Sequence, residues 1–105
     1  MANLIPGPKG LHIQNCKGDT LSIQYGPSNY VDNRDYSVDV DYNKPVKETT
    51  CVELAMWNAS TKWYKLSEYD DVAAYFPVEL FGELLTKFLA GDTEGVIELT
   101  RNRKD

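Results

Sequence analysis

The sequence predicts an α+β protein: an antiparallel sheet of about five to six strands with one main C-terminal amphipathic helix packed on one face. Three observations carry that expectation. Short segments of alternating apolar and polar residues recur from Leu11 to Leu66. The period then lengthens to three- and four-residue steps after Pro77. Strands grouped ahead of a helix, rather than alternating with helices, favour an antiparallel sheet over a parallel one. At 105 residues the chain is expected to be a single domain, 1–105, with an extended lead-in at 1–10 and a basic tail at 101–105.

The elements follow in chain order. "IPGPKG", 5–10, has prolines and glycines enough to read as an extended or turning segment. "LHIQNC" and "TLSIQY" alternate around "KGD" and predict a hairpin. "GPSNYVDNRD", 26–35, is a loop by composition. A strand over 36–42 follows, with Tyr36, Val38, Val40 and Tyr42 on one face and Asp39 and Asp41 on the other. Pro45 excludes a central strand in "NKPVKE". "TTCVELAMWN" and "KWYKLS" read as two strands joined at "AST", which brings Trp57 and Trp63 near each other. "SEYDD" offers Ser67 or Asp70 as a cap for a helical turn in "VAAYF". Pro77 suits the first position of a helix carrying Val78, Phe81, Leu84, Leu85, Phe88 and Leu89 on one stripe, and Gly91 suits its stop. "GVIEL", 95–99, reads as a last strand.

Charge and composition narrow the function classes. The formal net charge is −5, and the basic residues of "RNRKD" leave the rest of the chain more acidic still. Such a body repels phosphate, so no direct nucleic-acid partner and no anionic membrane surface is expected. The apolar runs are too short for a spanning helix, and the first residues lack a signal pattern, which predicts a cytoplasmic protein. Cys16 and Cys51 lack metal-ligand spacing and are expected as reduced, core or half-buried thiols. "NAS" at 58–60 matches a glycosylation sequon and reads as a turn.

No catalytic, cofactor or metal motif stands out. His12 is the single histidine, predicted on the strand face opposite Leu11 and Ile13. Cys16, four residues on, is roughly 13 Å along the same strand, too far for proton transfer. Asp32, Asp35, Asp39 and Asp41 miss the calcium-loop pattern. The expectation is therefore no enzyme, no cofactor and no metal.

The remaining signal is aromatic and acidic. Seven tyrosines and two tryptophans stand in a chain with no cofactor motif to use them. Tyrosine favours strands in any case, but tyrosine beside Ser, Asn and Gly is also the composition of binding surfaces. The carboxylates fit either a solvated sheet face or a surface that steers a basic partner. On the second reading the partner-binding residues are Tyr30, Tyr36, Asp39, Asp41, Glu53, Trp57, Asp70 and Asp71. The size and acidic character suit a small phage or mobile-element accessory protein that occludes a basic groove on a host nucleic-acid-handling or defence protein. The alternative is a structural module forming a homodimer through its sheet face or edge.

Overall fold

The computed structural model describes residues 2–7, 9–26 and 48–102. It contains five strands in sequential order: β1 Asn3–Pro6, β2 Gly10–Gln14, β3 Thr20–Gln24, β4 Cys51–Trp57 and β5 Ala73–Pro77. Every neighbouring pair is antiparallel. A 3-10 turn, Val78–Leu80, leads into α1, Phe81–Leu89, and α2, Thr93–Asn102, completes the described chain. The α+β class therefore holds, with two C-terminal helices where one was expected. The predicted loop at 26–35, apart from Gly26, and the predicted strand at 36–42 lie outside the described residues.

Strand parity builds one core. Leu11 and Ile13 of β2, Leu21 and Ile23 of β3, and Leu54 and Met56 of β4 stand opposite one another in register. Leu21, Leu54 and Met56 are fully buried and cluster with Leu84 and Phe88 of α1 and Val96 of α2. Both helices thus contribute to the core on this side of the sheet.

Four local readings are corrected. The lead-in forms β1 and the start of β2, because Gly7 and Gly10 close a tight turn through a 2.9 Å backbone bond. "KWYKLS" pairs only briefly: Trp63 bridges Trp57, and Tyr64 N–H donates to the Met56 carbonyl at 2.8 Å. The chain then leaves the sheet because Leu66 is drawn wholly into the core. "VAAYF" contributes most of β5, not a helical turn, and Pro77 ends that strand instead of opening α1. Phe76 pairs with Val52 and is completely buried, so the strand conformation carries the core residue. "GVIEL" lies inside α2, whose buried Thr93, Val96 and Thr100 recur at helical spacing. Asp92 caps that helix by accepting the Gly95 N–H at 3.0 Å. Gly91, with φ of 76°, supplies the predicted left-handed stop between the helices.

A polar clamp joins the β2–β3 turn to the α1–α2 corner. Asn15 donates its amide to the Phe88 carbonyl at 2.9 Å, while its side-chain oxygen accepts the N–H groups of Lys17 and Asp19. The Asp19 carboxylate is 2% exposed. It accepts the Tyr64 hydroxyl on one oxygen and the Thr93 hydroxyl on the other, both at 2.8 Å. Lys17 donates to Thr93 from the far side, also at 2.8 Å. Buried polar groups are costly unless partnered, and here two distant chain segments converge to partner one carboxylate.

The clamp raises the Tyr64 hydroxyl from 10.0 to about 12, through burial first, then the Asp19 hydrogen bond and charge, with Glu94 adding. A group whose folded value is raised contributes stability that is present in full below pH 10 and lost as pH climbs towards 12. Tyr64→Phe should therefore be less stable than the wild type near neutrality, and the gap should shrink across that window in urea unfolding. Leu66→Ala should cost about 2–5 kcal/mol in the same assay, by loss of apolar contact and by the cavity left behind.

Candidate functional site

The sheet face away from the helices is the candidate site. Its residues are those of opposite parity: Asn3 and Ile5, His12 and Gln14, Thr20 and Ser22, and Glu53, Ala55 and Trp57. The register arranges them in rows. Asn3, Gln14, Thr20 and Trp57 form one, which Trp63 extends through its bridge to Trp57. Ile5, His12, Ser22 and Ala55 form the next, and Gln24 faces Glu53 beyond it.

The floor between the larger side chains is small. Thr20, Ser22 and Ala55 are buried at the centre of the sheet. With little height there, His12 on β2 reaches across β3 to Trp57 on β4. Their rings meet edge to face, with centroids 5.2 Å apart and planes at 87°. Trp57 stacks on Trp63 at 5.0 Å and 26°. Trp63 is the outer ring and keeps 51% of its surface exposed. The turn that places it is tied by Asn58, whose side-chain oxygen accepts the Ser60 and Lys62 N–H groups at 2.9 and 3.1 Å. The "NAS" segment is thus a turn, as predicted.

Two grooves flank this face. One, about 210 Å³, lies by β1 and β2 between Ile5, Gly10, His12 and Gln24, where Gln24 donates to Ser22 at 3.0 Å. A broader one, about 760 Å³, opens at the start of β4 between Thr49, Cys51, Tyr75, Pro77 and Glu79. Among the described residues no group of three or more His, Cys, Asp or Glu side chains converges as a metal site would require. No helix among them is long and apolar enough to cross a membrane. Cys51 is a buried free thiol, as expected, whereas Cys16 is exposed because it lies in the turn after β2 rather than in the strand.

The predicted site residues divide three ways. Glu53 and Trp57 share this face, four positions apart on β4 and so roughly 13 Å from each other. Asp70 and Asp71 stand outside the strands, on the excursion between Tyr64 and β5. Asp70 serves its own turn, its carbonyl accepting the Ser67 N–H and hydroxyl and its carboxylate the Val72 N–H. No helix follows Ser67 and Asp70 directly, so neither caps one. Tyr30, Tyr36, Asp39 and Asp41 lie outside the described residues. His12 and Trp63 are additions to the expected set. Hairpin register would have placed both, since His12 and Trp57 both fall on the outward parity and Trp63 lies just past the turn from Trp57. No family model, curated protein or solved structure matches the chain.

The stack has a spectroscopic consequence. Two indoles this close should give a coupled near-ultraviolet circular dichroism band. Trp63→Ala should abolish it, with a stability loss near the roughly 0.5–1.5 kcal/mol typical of an aromatic pair beyond its area. A band unchanged in the variant would mean that the rings are not stacked in solution.

Proposed function

We propose that this chain is a non-enzymatic, acidic protein-binding domain whose contact surface is the sheet face bearing Trp57, Trp63, His12 and Glu53. The observation that carries the reading is the half-exposed Trp63 ring, held rigid by the stack on Trp57. An anchored indole loses little entropy on binding and offers its π-face to a cation. Glu53 on the same face and a net charge of −5 favour a partner with a basic surface. A groove that ordinarily takes nucleic acid has that chemistry, so occluding such a groove on a host protein is the activity proposed. The charge is far sparser than that of duplex DNA, which favours local occlusion over full mimicry.

A second reading, a structural module that pairs with its own copies through the sheet, is favoured by a separate observation: among the described residues β1 is an edge strand, exposed along its whole length.

An arginine-rich peptide tests the first reading as a stand-in for the basic groove. Titration should quench tryptophan fluorescence and weaken as salt rises. Trp63→Ala should reduce affinity about 2- to 30-fold, the range of a cation–π contact. Glu53→Lys should reduce both affinity and its salt dependence. Affinities unchanged in both variants would refute the proposed surface.

A further inference from the structure

Among the described residues, the two edges of the sheet are finished differently. On the β5 side the edge is broken: residues 65–72 leave the sheet between Trp63 and Ala73, Tyr75 adopts a φ of 54°, and the register shifts between Val52 and Leu54. Such irregularity discourages further strand addition. β1 carries no bulge and no positive φ; its only blunting features are its four-residue length and Pro6 at its end. Residues 2–6 read Ala-Asn-Leu-Ile-Pro, without a charge, and Leu4 and Ile5 are 56% and 42% exposed.

The direction of each β1 backbone group follows from the ladder. Gly7 N–H bonds to the Gly10 carbonyl, so Gly7–Gly10 is a hydrogen-bonded pair. Antiparallel pairs alternate, so Ile5–His12 and Asn3–Gln14 are bonded as well, while Leu4–Ile13 and Pro6–Leu11 are not. Ala2, Leu4 and Pro6 therefore turn their backbone groups away from β2. Pro6 has no N–H to turn outward, which explains how a proline is accommodated in this strand.

We propose that β1 is a self-association edge, through which two copies of the chain pair antiparallel about a two-fold axis at Leu4. In that register Leu4 meets Leu4 of the second copy, and the two exchange both N–H···O=C bonds. Ala2 stands opposite Pro6 of the second copy and donates to its carbonyl. Both outward donors of residues 2–6 then find acceptors, and the missing N–H of Pro6 leaves only the Ala2 carbonyl of the second copy, at the end of the seam, to be satisfied by water. This self-complementarity favours a second copy over a foreign strand. The absence of charge in residues 2–6 matters equally, because two chains of net charge −5 can approach here without facing like charges across the seam.

The axis runs along the sheet normal, so both Trp63 faces would look to the same side of one continuous sheet. The pairing rests on the second reading above and is independent of the first. If both hold, the dimer is bivalent for its partner.

Sedimentation equilibrium over a concentration series, with hydrogen exchange at the Leu4 amide, tests this. The interface is small, so a reversible dimer is expected. The mass should rise from 11.9 kDa towards twice that value, with Leu4 protection rising in parallel. Leu4→Pro removes the outward donor without touching a β1–β2 bond and should abolish association while leaving the far-ultraviolet spectrum intact. Leu4→Lys keeps the N–H but places like charges at the axis, and should weaken association in a salt-sensitive manner. Trp63→Ala should dimerise as the wild type does, which separates this edge from the indole face. A monomer mass up to about 1 mM, or a dimer undiminished by both Leu4 variants, would overturn the proposal.

Discussion

Asp19 is the constraint on which the arrangement depends. A carboxylate at 2% exposure is tolerated only because Tyr64, Thr93 and, through Thr93, Lys17 are brought to it. Those partners come from three parts of the chain: the turn after β2, the segment leaving β4, and the first turn of α2. Asn15 adds a fourth tie by bonding the Phe88 carbonyl at the end of α1. Apolar burial would hold the helices somewhere over the sheet. The clamp, being directional, sets where, because a displaced corner would strand a buried charge.

Holding both helices on one side leaves the other face to a different chemistry. The helix side is aliphatic and aromatic, with Leu21, Leu54, Met56, Phe76 and Phe88 fully or almost fully buried. The opposite side has a small-residue floor with an imidazole and two indoles standing on it. The two faces are linked at residues 63 and 64. Trp63 turns outward to stack on Trp57, and Tyr64, next in the chain, turns inward to Asp19. The clamp that positions the helices therefore also holds the segment presenting the outermost ring.

Much of the fold was legible because its signals were local and unopposed. The β2–β3 hairpin announced itself through alternation around a Gly-containing turn, and Gly18 there has a φ of 92°. The α1 stripe and its Gly91 stop were equally plain. Other elements were hidden by composition. β1 was obscured by Pro6 and Gly7, whose positions are harmless only once it is known which backbone groups face β2. β5 contains two alanines, which carry little strand preference, and owes its conformation to the pairing of Phe76 with Val52. α2 contains Val96 and Ile97, which favour a strand, yet Asp92 and Glu94 before them are a helix-start signal that outweighs that preference. The clamp had no sequence signature: Asn15 and Asp19 looked like ordinary turn residues, and only tertiary contacts distinguish them. The candidate face was half legible: alternation places Glu53 and Trp57, whereas Asp70 and Asp71 follow Tyr64 on an irregular segment whose course no local pattern gives.

The most direct test of this account is a double-mutant cycle in unfolding free energy between Asp19→Ala and Thr93→Val. If the buried carboxylate organises the helix corner, each single change should destabilise the fold. The pair should then be non-additive, with a coupling energy of about 1–3 kcal/mol. Additivity to within about 0.5 kcal/mol would show that Asp19 and Thr93 act independently, and that the bond between them does not set the position of the helix corner.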